Sequence, residues 1–340
     1  MNPIQNTQVI IVGAGPTGLE LGVALKQKNI PFLIFETGQI GHTISWWPKD
    51  TRFFSTSERI AMPGIPLHVF DQQHPTGDQY LAYLREVVQQ FDLKINNFEK
   101  VTLIEKQNDL FVVHTETRHG QFVYQANQVV LATGGMAKPC KLNIPGEDLP
   151  FVTHYLDDPH LYFQRELLVV GGRNSAVEYA LRCWRAGASV TLSYRKESIG
   201  PKSVKPALMQ DFETVVREGK IRFMPSTIPV EITPDQVVLS GTDTDGYPVK
   251  GKKQIIHPDA VLLCTGYVAD MSLFKQLGVT LTGKEQAPQF NENTMETNVP
   301  GVYVLGTAAG GTQKKFEHFI ETSHKHVPKI LNAIEKSMEN

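Results

Sequence analysis

The chain has 340 residues, 41% of them hydrophobic and 20% charged, with a formal charge of −2 at pH 7. That length exceeds the size at which one hydrophobic core stops growing, so two domains are expected, and the near-neutral balance gives no basis for a nucleic-acid or anionic-membrane partner. Three cysteines make no disulfide framework and point to a reducing cytoplasm; the polar start MNPIQNTQ lacks a signal-peptide layout, and the longest apolar runs, ELLVVGG and AVLLCTGY, fall far short of a membrane span.

Residues 8–13 read as a buried strand, 18–28 as a helix with Leu19, Leu21, Ala24 and Leu25 facing inward, and 31–36 as the next strand. The turn between the first strand and the helix is GAGPTG, with Gly13, Gly15 and Gly18 spaced as GxGxxG and Pro16 and Thr17 between them. Gly13 permits the tight turn, Gly15 lets backbone approach a pyrophosphate, and Gly18 lets the helix pack close to the strand. The helix N-terminus offers free N–H groups and partial positive charge to phosphates. Glu36, at the end of the second strand, is placed to accept hydrogen bonds from an adenosine ribose.

The plan recurs in LLVVGGRNSAVEYALRCWRAGASVTLSYRK, residues 167–196. Gly171, Gly172 and Ala176 occupy this second cradle, Arg173 stands at the middle-glycine position, and Asn174 and Ser175 open the helix. Ser193 replaces the acidic residue, followed by Tyr194, Arg195 and Lys196. A carboxylate would repel a 2′-phosphate, whereas Ser193, Arg195 and Lys196 suit one, so the second site is expected to prefer NADPH over NADH. Arg173 either adds to the phosphate grip or hinders close approach. Each half ends a later strand in a matching phrase, VVLATGG (129–135) with Thr133 and Gly134, and VLLCTGY (261–267) with Thr265 and Gly266. A third such strand, GVYVLGTAAGG (301–311), carries Gly306 and Thr307 and runs towards a helix expected near Gln313. The simplest topology inserts the second unit into the first, giving one domain of residues 1–156 and 285–340 and another of 157–284, joined by Pro- and Gly-bearing connectors.

These two units with their paired ATG and CTG phrases and GVYVLG resemble the flavoproteins with two dinucleotide-binding domains, in which the first site holds FAD and the second NADPH. Four stretches narrow the resemblance to the bacillithiol-disulfide reductase (YpdA-type) family: TRFFSTSERIAMPGIP (51–66), GGRNSAVEYAL (171–181), PKSVKPALMQDF (201–212) and FIETSHKH (319–326). The resemblance implies a thioredoxin-reductase-like α/β fold of two Rossmann-like domains, without the CxxC pair of thioredoxin reductase. Cys140, Cys183 and Cys264 agree with that absence.

Two departures stand out. The family carries a cysteine just before the third glycine of the FAD cradle as its proposed redox centre, and this chain has Thr17, whose hydroxyl cannot form a mixed disulfide. An Asp commonly follows the glycine of the last FAD strand; here it is Thr307, which keeps a neutral hydrogen-bonding group. Among the cysteines, Cys264 reads as strand core and Cys183 as an ordinary helix residue. Cys140, between Lys138 and Lys141, is the remaining redox candidate, set against the alternative of an incidental loop cysteine. The resemblance also brings the segment 42–57 near the flavin, with Trp46 or Trp47 as a ring wall and Ser55, Thr56 or Ser57 as polar contacts; the structural alternative is a loop anchored by Phe53 and Phe54. Lys202 and Lys205 lie either near the NADPH signature or on an ordinary exposed loop. His318, His324 and His326 lack metal-ligand spacing, and no metal site is expected.

The expected activity is that of an NADPH-dependent, FAD-containing oxidoreductase whose acceptor, by resemblance, is a small-molecule disulfide such as bacillithiol disulfide. Two other readings stay open: a flavin-dependent monooxygenase, suggested by FVTHYLDDPHLY (151–162), and a non-enzymatic sensor of NADPH or redox state. The resemblance also leaves a homo-oligomer open.

Overall fold

The computed structural model describes residues 5–313 and 317–339. Strand β1 (Gln5–Val12) ends in VIIV with no polar break, as a strand with neighbours on both edges and cover on both faces requires. It leads into helix α1 (Pro16–Gln27), which starts with proline in the first turn, and then into the parallel strand β2 (Phe32–Glu36). Single-turn helices α2 (His42–Ser45) and α3 (Ser57–Ile60) precede α4 (Gly77–Gln90), which is closed by a Thr76–Gln79 capping box. Strand β3 (Ile95–Asn97) adds to β2 in parallel, and β4 (Lys100–Gln107), β5 (Leu110–Thr117) and β6 (Gly120–Leu131) form an antiparallel meander. β6 returns beside β1 in parallel, with Ile10 opposite Val129, giving the order β3-β2-β1-β6-β5-β4.

The chain leaves this sheet through β7 (Lys138–Pro139). A second sheet follows, all parallel, ordered β11-β10-β9-β15-β8. Its strands are β8 (Val152–Thr153), β9 (Glu166–Val170), β10 (Ser189–Tyr194), β11 (Ile221–Pro225) and β15 (Ala260–Leu263). Helices α5 (Asn174–Arg185) and α6 (Pro206–Arg217) make the crossovers, and α5 buries Ala176, Val177, Ala180, Leu181 and Cys183 in the core beside them. A three-stranded meander, β12 (Thr227–Ile232), β13 (Val237–Thr242) and β14 (Pro248–Ile256), closes this unit.

The return crossing, β16 (Tyr267–Val268), pairs with β7. Helix α7 (Ser272–Gln276) and a separate hairpin of β17 (Leu281–Thr282) and β18 (Ala287–Pro288) precede β19 (Val302–Val304), which completes the first sheet, with Val302 opposite Val129 on the stretch of β6 that β5 leaves free. The helix expected from near Gln313 falls on residues 314–316, which lie outside the described residues; beyond them α8 spans Ile320–Ser323 and α9 spans His326–Glu339, packed on α1. Gln313 instead turns its side chain onto the backbone, where its Oε1 accepts the N–H groups of Glu317 and His318 at 2.9 Å each.

The chain divides into two compact units, one of residues 1–46, 50–138 and 267–340, the other of 47–49 and 139–266. Both crossings lie upstream of the edges read from the sequence at 156/157 and 284/285. The connector after Pro139 is not slack: Leu142, Ile144, Leu149 and Phe151 pack on the second unit's core, and Glu147 accepts the N–H groups of Leu142 and Asn143. On the return, Leu273 and Phe274 of α7 are buried and the helix packs on β4. Among the described residues no helix is long and apolar enough to cross a membrane.

Candidate dinucleotide sites

The first cradle has the geometry its glycines suggest. Gly13 adopts φ +112°, and a side chain there would overlap the Ala132 carbonyl; a Cβ on Gly18 would overlap the carbonyl oxygen of Gly13. These two glycines serve close packing. Gly15 differs, because a Cβ on it would meet no protein atom within 4 Å and would project into open space. Gly15 is also the N-cap of α1, and no side chain caps that helix, so its first N–H groups are left to another acceptor, in contrast to the boxed start of α4.

Glu36 is fixed at the rim of this cradle. Its Oε2 accepts the Ala14 N–H at 2.8 Å and its Oε1 accepts the Gly38 N–H at 2.9 Å. A carboxylate has about four acceptor positions, so capacity for ribose hydroxyls remains. Thr133 Oγ1 is buried with no partner among the described residues, an orphan polar atom at the strand end facing this region. Gly134 adopts φ +76°, and a Cβ on it would lie 3.9 Å from Thr307 Oγ1, so the two strand-end phrases meet. Thr17 is buried on the first turn of α1, and a Cβ on Gly306 would stand 2.5 Å from its hydroxyl. An open middle position, an uncapped helix, an anchored carboxylate and an unpaired hydroxyl fit a dinucleotide.

The aromatic segment departs from expectation. Trp47 groups with the second unit, where Arg182 of α5 donates to the Lys49 carbonyl. Trp46 belongs to the first unit and packs on Tyr267 at 5.1 Å between rings. Phe53 is buried against Tyr80, while Phe54 is 45% exposed. Ser55 is half-buried on the approach to α3.

The second cradle is built differently. Gly171 adopts φ +147° against the Cys264 carbonyl, and Gly172 is covered by the Tyr194 ring, which a Cβ there would overlap. Arg173 is an exposed N-cap in extended conformation, and α5 too lacks a side-chain cap. Asn174 Oδ1 accepts the Lys205 N–H at 2.8 Å, drawing the start of α6 to this turn, and Ser175 is exposed. Ser193 is fully buried, 0% exposed, and its hydroxyl bonds Thr227 Oγ1 at 2.8 Å and the Thr227 carbonyl at 3.1 Å. The strand alternation that turns Ser193 inward removes it from the 2′-phosphate role, while Arg195 and Lys196 emerge exposed just beyond. Thr265 Oγ1 donates to the Cys140 carbonyl at 2.5 Å, and Gly266 adopts φ +97° beside open space.

The thiols separate by burial. Burial pushes Cys183 up to about 12 and Cys264 well above the usual thiol range, so neither provides a thiolate. Cys140 is exposed, but its neighbour Lys141 is paired with Asp148 at 2.5 Å, which offsets the positive setting read from the sequence.

Residues 10–306 match the family model described as pyridine nucleotide-disulphide oxidoreductase. The chain belongs to that family. It is 36% identical over 330 residues to the bacilliredoxin reductase Bdr of Bacillus subtilis strain 168, covering 97% of this chain and 98% of the relative. Its backbone is similar to the bacillithiol disulfide reductase Bdr (YpdA) of Bacillus cereus, with a TM-score of 0.91, 35% identity, and 98% and 100% of the two chains covered. For the enzyme of the same name from Staphylococcus aureus the TM-score is 0.89 at 33% identity, with 98% and 99% covered. The chain is thus a two-domain flavoprotein oxidoreductase of the thioredoxin-reductase-like fold, working with FAD and NADPH. The match supports this over the monooxygenase and sensor readings.

Sequence reasoning missed Tyr194 as the cover of Gly172. It also missed His326, which bonds Gly306 from 20 residues away, and the Glu20–His324 pair, whose members are 304 residues apart in sequence. No local motif marks such pairings.

Proposed function

We propose that the chain carries electrons from NADPH through FAD to a low-molecular-weight disulfide of the bacillithiol type, NADPH + H⁺ + RSSR giving NADP⁺ + 2 RSH, in a reducing cytoplasm. The observation that carries the reading is the first cradle, whose open Gly15, uncapped α1 and anchored Glu36 fit a dinucleotide in a chain similar to the Bdr enzymes over nearly its whole length. Bound FAD supplies the two-electron relay between nicotinamide and acceptor. The residues divide the work. Gly13, Gly15, Pro16 and Gly18 present the N-terminus of α1 to the FAD pyrophosphate, Glu36 orients the ribose, and Ser55, Thr133, Gly134, Gly306 and Thr307 line the remainder. In the second unit Gly171 and Gly172 shape the turn, Arg173, Asn174, Ser175, Thr265 and Gly266 receive the NADPH backbone, and Arg195 and Lys196 select the 2′-phosphate.

Thr17 sets the limit on the chemistry, since a hydroxyl opens no disulfide and the raised thiols of Cys183 and Cys264 are held protonated. The test is anaerobic. The yellow protein is reduced with one equivalent of NADPH, bacillithiol disulfide is added, and flavin absorbance is followed. Rapid reoxidation with release of two thiols is expected; a flavin that stays reduced until air is admitted overturns the acceptor assignment.

A further inference from the structure

The histidines near the C-terminus find their use in the first unit. His326, the first residue of α9, is 2% exposed, and its Nδ1 accepts the Gly306 N–H at 3.3 Å. With that nitrogen as acceptor, the neutral ring carries its proton on Nε2. Gly306 is no ordinary turn residue: it adopts φ +74° and is packed so closely on Thr17 that even a methyl group would not fit. The next residue, Thr307, turns its hydroxyl towards Gly134 and its carbonyl towards Gly135. The Gly306 N–H is buried, so without His326 it would be an unpaired donor. Two residues earlier, His324 Nδ1 donates to Glu20 Oε2 at 2.6 Å, and that carboxylate is 7% exposed on α1, one turn beyond Thr17. One short segment therefore braces both sides of the Thr17–Gly306 contact from behind.

We propose that His326 is a positioning residue of the first cradle, whose neutral imidazole fixes the Gly306–Thr307 turn and so sets how tightly the first unit holds FAD. The inference rests on the assignment of FAD to that unit. Burial first, then the His318 ring 5.7 Å away and the charges of Lys325 and Lys329, push His326 down to about 4, so it remains an acceptor through the neutral range. Among the described residues no carboxylate offsets them, Glu20 being engaged by His324. Once protonated, Nδ1 would confront the Gly306 N–H donor to donor, and the turn would lose its brace.

The test compares wild type, His326→Ala and His326→Asn. An asparagine amide oxygen can reach the position of Nδ1, accepts a hydrogen bond and does not titrate. FAD affinity is read from the flavin fluorescence that appears on release, with circular dichroism at each pH to confirm folded protein. His326→Ala is expected to raise the FAD dissociation constant about ten-fold, with His326→Asn within about three-fold of wild type. Wild type should also release flavin as pH falls towards 4 while still folded, and His326→Asn should not. Equal affinities for all three proteins, or the same acid release in His326→Asn, overturn the proposal. Should His326→Ala fail to fold, the acid profile of His326→Asn decides alone. A wild-type chain that binds no FAD would overturn the underlying assignment, and the inference with it.

Discussion

The two cradles carry the same motif and use it for different ends. In the first, two glycines are spent on packing and the third, Gly15, leaves space beside an uncapped helix, with the acidic residue tied to the rim by two backbone N–H groups. In the second, Gly172 makes room for the Tyr194 ring, the middle position is an exposed arginine, the third position already carries the Ala176 methyl, and the acidic position is a buried serine. The first is shaped by absence of side chains and the second by added charge. A motif match reports the turn both share; what each turn binds is decided by the residues around it.

The largest effect should come from Gly18→Val. The new side chain would overlap the Gly13 carbonyl, a backbone atom that cannot step aside, and a stability loss of about 4 kcal/mol or more is expected, read as a collapse of the denaturation midpoint. A midpoint close to wild type would show that the first turn is looser than its geometry. Gly15→Val breaks the comparison from the other side. Gly15 sits at φ −75°, ψ −179°, which any residue adopts, and its Cβ would meet nothing, so folding should be unaffected. Flavin affinity should nevertheless fall about ten-fold or more, leaving colourless protein. Full flavin stoichiometry in that variant would remove FAD from the first cradle.

Much of this was readable from local pattern. The apolar runs around VIIV and ELLVV and the glycine spacings give two units that each open with parallel strands and a helix after the first strand, and the insertion of one unit into the other follows from the third strand at 302–304. The crossings were misplaced because KPCKLNIPGEDLP has the composition of a linker, yet its apolar residues pack on the second core while Glu147 caps its turn. Ser193 was misread because position in the motif says nothing of which way the strand alternation turns it. His326 and Glu20–His324 were invisible for the reason that long-range pairs have no sequence period.

Arg195 carries the charge side of the comparison. It is exposed just past β10, with its stem against Gly246, and Arg195→Ala should weaken NADPH binding about ten-fold while leaving NADH binding nearly unchanged. Equal losses for the two dinucleotides would show that Arg195 holds no 2′-phosphate, and Lys196 would become the group to replace.

Ser193→Ala should have the smallest effect and separates the motif from the structure most finely. Read from the motif, Ser193 contacts the 2′-phosphate, and its loss lowers the preference for NADPH. In the fold its hydroxyl is buried and bonded to Thr227, while Thr227 Oγ1 keeps a second bond to the Met224 carbonyl at 2.7 Å. Removing the serine oxygen therefore leaves Thr227 with a partner, and the expected cost is about 1 kcal/mol of stability. The ratio of NADPH to NADH affinity should not move. A shifted ratio with stability intact would mean that the strand end rotates when the dinucleotide binds, because only rotation brings a fully buried hydroxyl to a phosphate.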